Sequence, residues 1–161
     1  MSGIIGGAGV KSGVIGPEFG RQKSPWAFYW LNSALYPAAS TEVIIHFDGG
    51  PTETNNWVNQ SSGVFTVNVP GVWVWHCRIR WNDAMGEQQL QMKFNDSGNT
   101  QGGNYDYNHS ASKWESLQVS GVHRMNTTDT VKFAAYQNSG TTRTLDGNSS
   151  RAHIMWCHMI G

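Results

Sequence analysis

Charge is scarce in this sequence. Charged residues fill 14% of 161 positions, and 11 Lys and Arg balance 11 Asp and Glu, where about 25% charged is usual for a globular domain. Without a basic excess there is little to neutralise phosphates, which argues against a nucleic-acid partner. The same neutrality argues against an anionic membrane surface. Cysteine is scarcer still: Cys77 and Cys157 stand alone and far apart, with no zinc-ligand spacing. A domain of this length needs no covalent staple, so two buried free thiols are expected. Every apolar run is broken within a few residues, well short of a membrane-spanning helix. The opening, Met1-Ser2-Gly3-Ile4-Ile5-Gly6-Gly7, has neither a basic region nor a long apolar core, so no signal peptide is read there and standard secretion is not expected.

Catalytic signatures are missing too. There is no Gly-x-Ser-x-Gly elbow. The carboxylates, from Glu18 to Asp146, are scattered with no spacing that marks an acid–base pair. Gly6-Gly7-Ala8-Gly9-Val10-Lys11-Ser12 only brushes against a phosphate-binding loop, because Val10 separates Gly9 from Lys11 and no strand precedes it. Gly7-x-Gly9 lacks the third glycine of a dinucleotide fingerprint. Asn104-x-Asp106-x-Asn108 lacks the Gly and Glu of a calcium loop. The expectation is a non-enzymatic protein with no catalytic residues, no metal ligands and no cofactor.

What the sequence does have is glycine, tryptophan and short β-type runs. Residues 1–24 form a Gly-punctuated arm with Ile4, Ile5, Val10, Val14 and Ile15 between the glycines and Lys11 beside them. Glycine disfavours a helix there, yet the arm is too apolar for a plain solvated linker. An extended segment that orders against a partner fits both facts. Residues 25–161 alternate Val/Ile/Trp/Phe/Tyr runs with Gly/Asn/Ser/Thr/Asp clusters. Strands are expected near 26–31, 42–47, 63–69, 71–81, 87–94, 112–120, 129–137, 141–145 and 151–160, with 95–110 as one long loop. In 71–81 the pattern puts Trp73, Trp75, Cys77, Ile79 and Trp81 on one face and Val72, Val74, His76, Arg78 and Arg80 on the other. The first half of that strand is apolar on both sides, as a sandwich strand with a subunit contact on its outer face would be. Many short strands and no helical pattern imply a single all-β sandwich or jelly roll. Eight Trp in so neutral a chain point to covered surface.

The order of several segments resembles the complement 1q globular-head family, relatives of tumour necrosis factor. Trp26-Ala27-Phe28-Tyr29-Trp30-Leu31 opens like its first strand. Glu42 to Asp48, the Asn-rich Thr54-Asn55-Asn56-Trp57, Gly63-Val64-Phe65-Thr66-Val67 and Pro70-Gly71-Val72-Trp73-Val74-Trp75 follow in family order. Thr128-Asp129-Thr130-Val131, Ala135 to Gly140 and the closing Ile154-to-Ile160 strand complete the series over residues 26–161. The resemblance implies a jelly-roll sandwich of two antiparallel sheets and a compact homotrimer. It places Phe28, Trp30, Phe65, Trp73, Trp75, Cys77, Val131, Phe133, Ile154 and Trp156 in the core or at the trimer contact. Cys157 stands where the family keeps a small glycine, so packing near the axis is expected to differ. Some relatives bind calcium, but no ligand set carries over to this chain. His76 and His158 fall on strands that this fold would make neighbours. Three-fold copies of them could ring an ion, although two satisfied sheet histidines are the simpler expectation.

Gly9-Val10-Lys11-Ser12-Gly13-Val14-Ile15-Gly16 is similar to short N-terminal segments of tailed-phage structural proteins. That resemblance implies a virion component assembled in the host cytoplasm. A trimeric capsid decoration (cement) protein is expected, with its arm contacting the major capsid protein or another virion protein. The other expectation is a tail or head fibre tip that binds a host-surface glycan, with Tyr105 and Tyr107 as the glycan contacts.

Overall fold

A computed structural model of the chain describes residues 24–52, 56–82, 86–95, 100–108, 115–145, 147 and 152–160. The arm residues Ile4, Ile5, Val10, Lys11, Val14 and Ile15 lie outside the described residues.

Among the described residues there are ten strands: β1 Trp26–Trp30, β2 Val43–Ile44, β3 Val58–Ser61, β4 Val64–Val67, β5 Gly71–Trp81, β6 Gly86–Phe94, β7 Thr100–Asn108, β8 Glu115–Met125, β9 Thr130–Gln137 and β10 Ile154–Met159. They form two antiparallel sheets. One runs β1-β10-β5-β8; the other runs β3-β4-β9-β6-β7, with β2 also paired to β9. The chain moves back and forth between the two sheets, which is the winding of a jelly roll.

The alternation of β5 organises the interior. Trp73, Trp75, Cys77, Ile79 and Trp81 are buried, while the residues between them are half-buried on the outward side. From the facing sheet come Phe65 of β4, Leu90 and Met92 of β6, and Val131 and Phe133 of β9. Phe65 is the hub: its ring lies 5.1 Å from Tyr29, 6.1 Å from Phe47, 6.2 Å from Trp75 and 6.1 Å from Phe133. All four pairs are tilted or edge-on, the arrangement that ring quadrupoles favour. Two buried aromatics place their polar tips on backbone acceptors. Tyr29 Oη donates to the Val58 carbonyl at 3.0 Å and Trp73 Nε1 to the Val69 carbonyl at 3.0 Å.

Several expected boundaries move, for identifiable reasons. The segment expected as a long loop contains β7, paired along β6 from Gly86↔Asn108 to Lys93↔Thr100 with a register shift between Met92 and Lys93. Its Gly-Gly-Asn composition carries little β preference. An open edge of β6, however, offers a row of N–H and C=O groups that pairs with any backbone of suitable shape. Strand β3 was not expected, because Val58-Asn59-Gln60-Ser61 is mostly polar. It forms as one arm of a hairpin in which Ser62 and Gly63, both at positive φ (50° and 82°), make the two-residue turn. The expected strand 141–145 reduces to bridges from Leu145 to Leu35 and Trp81. The 42–47 run contracts to Val43–Ile44, although Ile45 N still donates to the Phe133 carbonyl at 2.9 Å. β8 extends five residues past the expected end at 120, to Met125.

Candidate assembly face

The outward face of the β1-β10-β5-β8 sheet carries the residues that a solvated sheet would replace with polar ones. β1 presents Trp26, Phe28 and Trp30, β10 presents Ile154 and Trp156, and β5 presents Val72 and Val74. Trp26 is 38% exposed, Val122 of β8 58% and Ile160 57%. Trp26, Phe28, Thr52, Trp156 and His158 line a shallow groove of about 450 Å³ across the β1–β10 step. Contiguous apolar surface of this kind marks a contact face rather than a solvated one.

The ten residues expected in the core or at a trimer contact divide cleanly. Phe65, Trp73, Trp75, Cys77, Val131 and Phe133 are buried inside the sandwich. Phe28, Trp30, Ile154 and Trp156 are half-buried and face outward. Trp30 is covered on its own subunit: its backbone bridges Gly49, and a methyl group added at Gly49 would fall inside its indole.

A ladder of three rings crosses the centre of the face. His76 and Trp156 are direct partners in register, with ring centroids 5.1 Å apart and planes 24° apart. Trp156 and His158 stack at 5.4 Å and 19°. His76 Nδ1 lies 2.7 Å from Ser120 Oγ on β8. Burial, and then the Arg78 guanidinium, push the His76 imidazole below its ordinary value. The two histidines are thus brought onto one face, but as partners of a tryptophan. Among the described residues no three His, Cys, Asp or Glu side chains converge as metal ligands.

A cleft of about 470 Å³ is lined by Tyr29, His46, Asp48, Asn56, Asn59 and Gln60, among others. Its Asp48 carboxylate accepts from the Asn32 amide at 2.6 Å and from the Ser33 amide at 3.1 and 3.0 Å, so it ties a loop. Burial alone would push this carboxyl up; hydrogen bonds from Ser33, Asn32 and its own backbone outweigh it and hold it below the ordinary value. Cys77 and Cys157 are buried thiols with no disulfide between them, as expected, and burial pushes the Cys77 thiol up. They sit diagonally on neighbouring strands, Cys77 opposite Met155 and Cys157 opposite Trp75. Trp57 is partly buried against the core. Tyr105 and Tyr107, expected on a loop, stand on edge strand β7 opposite Gln89 and Glu87. The outward aromatic face and its ladder were not separable from the core by sequence; the only signal was the two-sided apolar pattern at the start of β5.

No protein-family model matches the chain, and no curated protein matches it significantly. Solved structures do. An Eiger TNF from S. frugiperda superposes with a TM-score of 0.68 at 10% identity, over 87% of this chain and 94% of that one. Murine APRIL gives 0.65 at 11% identity, over 86% and 100%. The globular domain of a zebrafish complement 1qA protein gives 0.56 at 19% identity, over 85% and 98%. At these identities the likeness is one of fold: the chain adopts the jelly-roll fold shared by TNF-like proteins and complement 1q globular heads.

Proposed function

We propose that this chain is a non-enzymatic virion structural protein, a homotrimer that decorates a capsid and is held to the shell by its N-terminal arm. The observation that carries self-association is the aromatic outward face of the β1-β10-β5-β8 sheet. A second copy is its best occupant, because the complement 1q resemblance implies a compact trimer and because the face is too apolar to be left in water. The arm supports the capsid role. It is apolar and Gly-rich, resembles phage structural segments, and runs into β1, an edge strand of that sheet. Its Val and Ile side chains and main-chain groups suit strand addition to a shell protein. Many copies on a shell would multiply a modest affinity per site.

Deleting residues 2–24 is expected to leave a folded trimer that no longer binds particles, read by co-sedimentation with stripped capsids. Binding retained by the truncated chain would remove the arm from the contact. Quantitative mass spectrometry of purified particles separates decoration from a fibre. Copy numbers comparable to the shell protein support decoration; a few copies per particle contradict it and leave the fibre-tip reading.

A further inference from the structure

We propose that the N-terminal arm docks as an added strand on the outer edge of β3, along the cleft that Asp48 and Gln60 share, and that a shell protein must draw it from there. This rests on reading the arm as a strand-adding segment, and it names where the arm stays before a particle is met.

Hydrogen-bond parity fixes what the β3 edge offers. Among the described residues β3 pairs with β4 alone and ends its sheet. In an antiparallel pair, facing residues alternate between those that exchange hydrogen bonds and those that do not. Val58 faces Val67. Val67 turns both main-chain groups away from β3: its N–H donates to the Asp129 carbonyl at 2.9 Å, and its carbonyl accepts from the Thr128 N–H at 2.8 Å. Val58 therefore points its own N–H and carbonyl to the outer edge. The carbonyl shows this directly, accepting from Tyr29 Oη at 3.0 Å. Gln60, two residues on, has the same parity. The edge thus presents the N–H and carbonyl of Gln60 and the N–H of Val58, a short template for a further strand. Val58, Asn59 and Gln60 line the cleft of about 470 Å³ together with Tyr29, Phe47 and Asp48. The Gln60 side chain lies on the inner side of β3, and its Nε2 is buried with no hydrogen-bond partner. A carbonyl brought in by an added strand would meet that donor.

The arm suits this edge in reach, length and charge. The Pro25 carbonyl, just before β1, accepts from the Met159 N–H at 2.8 Å, which pins the point where the arm leaves. β1 and β3 end their sheets on the same flank of the sandwich, where Tyr29 meets Val58. The nine residues from Gly16 to Ser24 span up to about 30 Å when extended, well beyond the roughly 10 Å between packed sheets. Ser12 to Gly16 supplies five residues for a four-residue strand. Val14 and Ile15 favour extended backbone, and Gly13 and Gly16 beside them allow close approach. Residues 1–24 carry Lys11, Arg21 and Lys23 against Glu18, and the cleft carries the Asp48 carboxylate.

The test is hydrogen exchange of the full chain without particles, read by mass spectrometry with residue-level fragmentation. Amides of residues 8–16 are expected to exchange on the order of tenfold or more slowly than in a synthetic peptide of residues 2–23. Gln60→Pro removes an N–H that points outward from an edge strand, where proline is tolerated. It should release the arm and strengthen association with stripped capsids, because no docked state competes. Gly13→Pro/Val14→Pro changes nothing in the jelly roll. Successive N–H groups of a strand face opposite edges, so one of the two prolines always meets β3. In that chain the Val58 and Gln60 amides should exchange faster than in the wild type, with an unchanged circular dichroism spectrum. Wild-type arm amides that exchange as fast as the peptide overturn the inference and leave the arm's hold on the shell standing. Val58 and Gln60 amides that ignore the arm prolines also overturn it. If exchange behaves as expected but deleting residues 2–24 leaves particle binding intact, the docking stands and the reading of the arm as shell anchor falls.

Discussion

Phe65 is the residue on which the interior turns, because its ring joins β1, β4, β5, β9 and the segment carrying Phe47. It is fully buried. Phe65→Ala removes the hub of an aromatic cluster that cannot collapse into the space, so about 3–5 kcal/mol of stability should be lost. Urea unfolding followed by tryptophan fluorescence measures it; a loss below about 1 kcal/mol would mean that the cluster repacks freely. At this scale sequence reading separated little. Phe65 and Phe133 went to the core, and Phe28 and Trp156 to the outward face, yet all four are aromatics in β-type runs. Which way each points depends on sheet pairing, and period-two alternation gives two faces without naming the inner one.

Among elements, β5 was legible from end to end, because eleven residues of alternation with large Trp side chains leave one register that buries them. The β3–β4 hairpin was not, although Ser62-Gly63 held its cue. There the backbone governs: Gly63 sits at φ 82°, and an added methyl would lie 2.7 Å from Ile44 Cγ2 and 2.8 Å from the Ile45 carbonyl oxygen. Gly63→Ala should therefore destabilise by about 1–3 kcal/mol from left-handed strain and crowding. Denaturant midpoints for the pair of chains check this, and an unchanged midpoint would mean that the turn relaxes. β7 was hidden for a different reason. Its pairing comes from the edge of β6 and not from its own Gly-Gly-Asn sequence, so residue preferences could not reveal it.

At the scale of the molecule, fold and assembly separate. The ordered run of family-like segments made the jelly roll legible from the sequence, and the strand order of both sheets agrees with it. The assembly face was only half legible. The doubled apolar pattern of β5 announced an outer contact, but the aromatic rows of β1 and β10 become one surface only when β10 pairs between β1 and β5. A contact through that surface buries Val122, which is 58% exposed in the single subunit. An arginine there would bring an unpaired charge into the interface without disturbing the subunit core.

The most direct test of self-association through this face is therefore the solution mass of the chain beside its Val122→Arg variant, by sedimentation equilibrium near neutral pH. The expected result is three times the chain mass for the wild type and a folded, largely monomeric variant. A monomeric wild type, or a variant that assembles as well as the wild type, would contradict it.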